Sequence, residues 1–175
     1  MNELKLYLES GQKKVFACAI DWPGWIRAGK DAETAINALL EYGPRYGKVL
    51  AHAGIGFEAP NTAEKFVIAE RLQGDTSTDF GAPHVIPPQD HQAVDDAEYQ
   101  RFEAILSACW QALYAAMRAA RGKELRKGPR GGGRELVGIV EHVLGGNGAY
   151  LSSLGWKGKP DPEASQQAQL KQNLK

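Results

Sequence analysis

A long amphipathic stretch constrains the fold of this 175-residue chain more than any other feature. From residue 95 to about residue 121, apolar side chains recur every three or four positions, which is the period of an α-helix with one buried face. Asp95 and Glu98 form a plausible capping box at the start, and Gly122 ends the pattern. At 1.5 Å per residue the helix is about 39 Å long. Its apolar stripe is formed by Phe102, Ile105, Leu106, Cys109, Trp110, Leu113 and Met117.

A second apolar stripe follows a basic, glycine-rich turn at 127–134. The stripe predicts a second helix, so residues 95–155 are expected to form a long helical hairpin. Three glycines at 145, 146 and 148 interrupt it. In one helix they would cost about 3 kcal/mol relative to alanine, so they are expected to break the helix or to permit close approach by another group. The stripe consists of Leu136, Ile139, Val140, Val143 and Leu144, and Tyr150, Leu151 and Leu154 extend it beyond the glycines.

The N-terminal half shows strand patterns. Leu4, Leu6 and Leu8 alternate with polar residues, and the run 15–20 is apolar on both faces. The turn signal at 10–11 joins these two runs into a predicted β-hairpin. Pro23 and Gly24 then end the second strand.

A helix is predicted to begin after Asp31, which is a good N-cap. Gly43 and Pro44 are expected to end or kink it, and Pro44 can open a short second helix. The run 66–69 predicts a third strand that ends at Gly74. The order β-β-α-β makes a small sheet with a helix on one face.

These patterns predict an α+β protein with four segments. Residues 1–74 form a small sheet lobe, 75–94 a Pro/Gly-rich loop, 95–155 the helical hairpin and 156–175 a mobile tail. Unstructured loops of about twenty residues are uncommon within one domain. The segment 75–94 is therefore interpreted as a lid or as a linker between two lobes.

Composition excludes several classes of protein. Lys+Arg and Asp+Glu both number 21, and this neutral balance disfavours a dedicated nucleic-acid binder. No apolar run approaches the ~20 residues of a membrane span, and residues 1–5 lack a signal-peptide pattern. The cytoplasm is the expected compartment and no membrane partner is expected. Cys18 and Cys109 lie among apolar residues and are interpreted as buried, reduced thiols.

The candidate metal ligands are histidines. His84 and His91 lie in the 75–94 loop beside Asp90, and His142 lies on the second hairpin helix. A metal site needs three or four such groups to converge, and their spacing does not establish convergence. No cofactor is therefore expected from the residues alone.

Two other clusters are candidate binding sites. Arg130 and Arg134 belong to the glycine-rich turn, where backbone N–H groups at a helix N-terminus can hold an anion. The turn lacks the Lys-Ser/Thr of a phosphate loop, and a solvated bend with arginines paired to acidic residues is the alternative. Trp22, Trp25 and Arg27 are able to stack on a planar ligand, or else to cap the open end of a small core.

The N-terminal pattern resembles HicB-like antitoxins. The likeness covers about residues 4–50: a hairpin, then Trp22-Pro23-Gly24, then the helix start at 28–35. It implies a partial ribonuclease-H-like α/β fold and a binding module. No ribbon-helix-helix or helix-turn-helix DNA-binding segment follows.

Residues 96–155 resemble the first two helices of DinB-like bundle proteins. The likeness rests on the long helix, the turn 125–133 and the segment 134–143 that ends near His142. It implies that His142 is one of three histidine metal ligands in a thiol-dependent transferase, with zinc or nickel as the metal. The family's third and fourth helices, with their His-x-x-x-His pair, have no counterpart here.

Three functions remain open from the sequence. The favoured one is a binding or interaction protein that forms a homodimer through surplus apolar surface on the hairpin. The alternatives are a DinB-like metal-dependent enzyme that uses His142 with His84, His91 or Asp90, and a nucleic-acid-contacting protein that uses the arginine turn. Nucleic acid is not the favoured partner, and the pattern identifies no small-molecule ligand.

Overall fold

The computed structural model describes residues 3–51, 53–126, 133 and 135–156. Arg130, Arg134 and the tail beyond Trp156 lie outside this part of the chain. Within it the fold is α+β, with a four-stranded mixed sheet and four α-helices. The elements are β1 Leu4–Ser10, β2 Val15–Ala19, β3 Ile26–Gly29, α1 Ala32–Ala51, β4 Phe66–Gln73, α2 Thr76–Phe80, α3 Asp96–Ala120 and α4 Leu136–Ser153. Short 3-10 helices span Ala63–Lys65 and Pro88–His91.

The sheet has the strand order β3-β2-β1-β4. β1 and β2 form the predicted antiparallel hairpin, with Leu6 opposite Ala19 and Leu8 opposite Ala17. β4 returns after α1 and pairs parallel to β1. A helical crossover of this kind is what a parallel pair needs, because the chain must travel back to the starting edge.

β3 is a strand that the sequence prediction lacks. It follows the Pro-Gly turn and pairs antiparallel to β2, with Ala17 opposite Arg27. The predicted order β-β-α-β is therefore corrected to β-β-β-α-β. With only four residues, β3 is too short for alternation to be visible, and it is a strand because β2 supplies its hydrogen bonds.

α1 is one helix of 20 residues and includes Pro44. Asp31 caps it as predicted: its carboxylate accepts the Thr34 N–H at 2.8 Å. Of the two predicted outcomes at Gly43-Pro44, an end or a kink, the end was wrong, because the helix continues to Ala51. A Cβ on Gly43 would lie 3.3 Å from Cζ2 of Trp25. Glycine is present here because an indole packs directly on the helix backbone.

The chain divides into two compact units, Met1–Cys109 and Trp110–Lys175, and the boundary lies within α3. We call them the N-terminal and C-terminal units. The core of the N-terminal unit packs α1 and the first half of α3 with the sheet. It is built from Leu6, Leu8, Ala17, Ala19, Trp25, Ala35, Leu39, Tyr46, Leu50, Ile105 and Ala108.

The described part of the C-terminal unit is built by the second half of α3 and by α4. Trp110 and Val140 are buried between them, and half-buried apolar side chains surround this pair. α4 runs unbroken through the three glycines. Within the described residues, no other group lies within 4 Å of a Cβ built on Gly145, Gly146 or Gly148. The prediction that these glycines break the helix was therefore wrong, and the alternative, close approach by another backbone or a ligand, stays a prediction.

Two further observations bear on the sequence predictions. Cys18 is buried as expected, whereas Cys109 is exposed. The helical period places Cys109 at the margin of the stripe, and the buried positions beside it are Ala108 and Trp110. No helix in the described parts of the chain combines the length and apolar character needed to cross a membrane.

Candidate functional site

The tryptophan loop of the N-terminal unit has one buried and one accessible ring. Trp25 is 0% exposed, and its Nε1–H donates to the Leu39 carbonyl at 3.0 Å. Its ring stacks on Tyr46 at a centroid distance of 5.8 Å. Trp25 is therefore a core residue, and no ligand can reach its ring without opening the core. The loop caps the core, as the alternative interpretation expected.

Trp22 is half-buried at the edge of this aromatic cluster. Its ring meets Phe57 edge-on at 4.8 Å. The Arg101 guanidinium lies 4.6 Å from the Trp22 ring centroid, and the same side chain donates to the Asp21 carbonyl. Trp22 thus joins α3 to the loop through a cation–π contact, and this contact occupies the face that a ligand would use.

Arg27 lies on β3 and packs against α1. Its Cζ atom is 3.1 Å from the centroid of the Tyr42 ring, and Arg45 approaches the same ring at 5.5 Å. Nη1 of Arg27 also donates to the neighbouring Ile26 carbonyl. The structure does not bring Arg27 to Trp25 as one ligand platform; it pairs Arg27 with Tyr42 instead.

A buried carboxylate fastens the segment after β4 to the sheet. Glu9 on β1 is 0% exposed. It accepts the Thr78 hydroxyl at 2.6 Å and the backbone N–H groups of His84 and Val85 at 3.1 to 3.2 Å. Three donors satisfy the acid, as burial of a charge requires. The segment 75–85 is therefore docked on β1 through specific bonds.

Asp79 makes a second attachment at the β1–β2 turn. Its carboxylate accepts N–H groups from Gln12, Lys13 and Lys14 at 2.7 to 3.2 Å. The hydrogen bond from the Lys13 amide is the largest cause that lowers the pKa of Asp79. Gly11 is required in this turn because a Cβ there would collide with Oδ1 of Asp79.

Cys18 lies on the same face of the sheet as Glu9, opposite Tyr7 in the hairpin. Burial raises the pKa of the Cys18 thiol to about 11. Burial, followed by the charge of Cys18, also raises the pKa of Tyr7 well above its usual range. Since the thiolate is the nucleophile, Cys18 is an inert core thiol near neutral pH.

The three candidate metal ligands occupy different settings. His84 lies beside two carboxylates, with Nε2 3.5 Å from Oδ2 of Asp75 and Nδ1 3.9 Å from Oε1 of Glu9. His91 ends a 3-10 helix and is exposed. His142 is exposed on α4. Across residues 3–51, 53–126, 133 and 135–156, no group of three or more His, Cys, Asp or Glu side chains is arranged to hold a metal ion.

The C-terminal unit contains a cleft of about 600 Å³ between the end of α3 and the start of α4. Half-buried apolar side chains and exposed cations share its lining. The residues that line it are Tyr114, Met117, Arg118, Ala120, Arg121, Gly122, Lys123, Glu135, Leu136 and Val137. Sequence analysis placed an anion site at Arg130 and Arg134 and did not single out this cleft.

The C-terminal end of α4 is the second open feature of the C-terminal unit. Tyr150 and Leu154 stand one turn apart and are 76% and 83% exposed. One turn before them, Gly146 has open space around its Cβ position. The helical period predicts the buried side of α4 correctly as far as Leu144. It also extends the apolar stripe to Tyr150 and Leu154, and this part of the prediction was wrong because both side chains are exposed.

Comparison of the chain with models of known protein families, with curated proteins and with solved structures finds no match.

Proposed function

We propose that this chain is a binding protein that self-associates through the C-terminal end of α4. The observation that carries the proposal is the pair of large apolar side chains, Tyr150 and Leu154, exposed on one side of that helix. Burying such a side chain releases about 1.5–3 kcal/mol relative to leaving it in water. A second copy of the same face is the occupant we propose.

The geometry of α4 suits a helix–helix contact. Gly145 and Gly146 leave the helix backbone uncovered, with no other group within 4 Å of their Cβ positions. Glycine on a helix surface lets a second helix approach closely, and a neighbouring large side chain then fills the space beside it. Two helical hairpins, each formed by α3 and α4, would complete a four-helix bundle in this way.

The HicB-like resemblance also favours a binding module. The features on which it rests are a hairpin, a Pro-Gly turn and a helix start, and the corresponding described elements are β1–β2, the turn at Pro23-Gly24 and α1. The DinB-like resemblance concerns the pair of helices α3 and α4. Under our proposal, that pair is half of a bundle which a second copy completes.

Self-association is tested by sedimentation velocity from 1 to 100 μM, a range typical of weak protein dimers (about 1 μM corresponds to −8.2 kcal/mol). We expect the wild-type chain to be dimeric at the upper end. Tyr150→Glu with Leu154→Glu places two carboxylates in the contact, so this variant should remain monomeric. A monomeric wild-type chain at the highest concentration would refute the proposal.

The matched control is Phe80→Glu with Ile86→Glu. Phe80 is 88% exposed and Ile86 is 62% exposed, and both lie in the N-terminal unit. This variant makes the same exchange of apolar surface for charge away from α4. We expect it to dimerise like the wild type. If both double variants lost association equally, the contact would not be specific to α4.

A further inference from the structure

We propose that the cleft between the end of α3 and the start of α4 binds a small organic anion with an apolar body. The chemical class is a carboxylate, sulfonate or phosphate ester attached to an aromatic or aliphatic group. This site is separate from the proposed contact at Tyr150 and Leu154, and it goes beyond self-association.

The size and walls of the cleft fit a small molecule. Its volume of about 600 Å³ lies within the range of about 300–1,000 Å³ typical of ligand pockets. Tyr114, Met117 and Leu136 provide half-buried apolar walls. Such walls favour an apolar body, because water leaves both surfaces when it binds.

The charge of the lining selects an anion. Arg118, Arg121 and Lys123 line the cleft against one carboxylate, Glu135. Among the described residues, none of these three cations lies within the 4.0 Å of a carboxylate oxygen that defines an ion pair. Three cations against one carboxylate favour an anion in the cleft, and arginine offers two N–H groups in a fork that matches carboxylate and phosphate oxygens.

The start of α4 also lines the cleft. Glu135 occupies the N-cap position, and its side chain makes no capping hydrogen bond. The first N–H groups of a helix have no partner within the helix and carry partial positive charge. Leu136 and Val137, the first two residues of α4, line the cleft. The three cations and the first two residues of α4 thus line one cleft.

The arrangement fits a compact anion better than a nucleic-acid strand. The three cations fall within residues 118–123 and surround one concavity. Proteins that hold single strands instead spread cations and stacking rings along a groove that follows the backbone. Cations near a helix C-terminus also stabilise the helix dipole by about 0.3–1 kcal/mol within the last turn. Lys123 lies three residues after Ala120, the last residue of α3, and is therefore outside the last turn. Stabilisation of the helix dipole does not explain why a cation is present at this position.

The probe for the test is 8-anilinonaphthalene-1-sulfonate, an apolar body with one anionic group, titrated by fluorescence into the native full chain. We expect one saturable site per chain. Arg121→Gln with Lys123→Gln should weaken binding at least about tenfold, since a hydrogen bond to a charged group contributes roughly that factor. The uncharged N-phenyl-1-naphthylamine should bind at least about tenfold more weakly than the sulfonate for the same reason.

The matched control is Lys48→Gln with Arg71→Gln, which removes one lysine and one arginine from exposed positions of the N-terminal unit. It should bind the sulfonate as the wild type does. A second variant, Met117→Glu, places a carboxylate on the apolar wall and should abolish saturable binding. Equal binding by wild type and the Arg121/Lys123 variant, equal loss in the control, or equal affinity for the two dyes would overturn the proposal.

Discussion

The two units of this chain treat charge in opposite ways. In the N-terminal unit, the carboxylates of Glu9 and Asp79 each accept hydrogen bonds from three residues. In the C-terminal unit, Arg118, Arg121 and Lys123 line a cleft and make no ion pair within the described residues. The N-terminal unit uses these carboxylates in hydrogen bonds within its own fold, whereas the C-terminal unit exposes these cations along a cleft.

The aromatic candidate sites also differ between the units, although the N-terminal unit has exposed apolar side chains of its own, such as Phe80 and Ile86. The tryptophan loop, which looks like a binding surface in the sequence, is sealed by Trp25, and Arg101 covers the ring of Trp22. The large rings and aliphatic groups of α4 remain in solvent. Side chains that are packed or hydrogen-bonded within the chain stabilise its fold, whereas side chains that remain in solvent can contact a ligand or a partner. We therefore assign structural roles to the N-terminal clusters and binding roles to the C-terminal surfaces.

The largest expected effect is on the core of the N-terminal unit. Trp25→Ala should lower the free energy of unfolding by about 3–5 kcal/mol, because it removes a fully buried ring and leaves a cavity. Tyr150→Ala should change it by less than about 0.5 kcal/mol when measured at concentrations where the chain is monomeric. Urea denaturation followed by circular dichroism measures both. Equal losses of stability in the two variants would contradict the difference in packing between Trp25 and Tyr150.

The buried carboxylate gives the next effect. Glu9→Leu should cost about 2–4 kcal/mol, since each buried donor without an acceptor costs about 1–3 kcal/mol. Arg121→Leu, at an exposed charge of the other unit, should cost less than about 0.5 kcal/mol. Glu9→Gln keeps one acceptor oxygen and should fall between them. A Glu9→Leu variant as stable as the wild type would show that the bonds to Thr78, His84 and Val85 contribute nothing.

Replacing a helical glycine by alanine should change the free energy of unfolding in opposite directions in the two units. Gly43→Ala should destabilise the chain by about 1–2 kcal/mol, because the new methyl meets the packed ring of Trp25. Gly145→Ala has open space and should stabilise α4 by about 0.5–1 kcal/mol. Thermal unfolding at low protein concentration distinguishes them. Two changes of the same sign would contradict the packing described for α1 or for α4.

The smallest effect depends on pH. Asp79 has a pKa lowered by the backbone amides of the β1–β2 turn, first that of Lys13. A carboxyl whose pKa is lower in the folded state stabilises the fold above its unfolded value of about 3.9, and this contribution is lost as the pH falls through the folded value. Asp79→Asn should therefore reduce the urea midpoint at pH 7. The difference in urea midpoint between Asp79→Asn and the wild type should become smaller below about pH 4. A difference that stays the same at all pH values would contradict the lowered pKa of Asp79.

Local patterns predicted much of the framework. Alternation gave the hairpin β1–β2, and capping residues gave the starts of α1 and α3, because these features depend on neighbours in the sequence. Gly122 ends α3 with a φ of 72°, a conformation that favours glycine. The same rules failed at Gly43, where glycine marks a packed ring and not a helix end.

The candidate sites were harder to predict because they depend on distant partners. Nothing near Asp79 in the sequence shows that its carboxylate joins a turn 65 to 67 residues earlier. The burial of Trp25 depends on contacts with α1, and the cleft depends on how α3 and α4 pack. The two tryptophans are three residues apart, yet Trp25 is buried and Trp22 is half-buried, a difference that composition alone does not predict.

The attachment of Glu9 has a consequence for the order in which the chain assembles during synthesis. Its donors Thr78 and Val85 follow it by 69 and 76 residues. The hairpin β1–β2 can form early, yet the face that carries Glu9 and Cys18 has to wait for residue 85 to leave the ribosome. Closing so long a loop is slow relative to forming a hairpin. The nascent N-terminal unit therefore passes through a stage in which the Glu9 carboxylate is hydrated, and docking of the 75–85 segment ends that exposure.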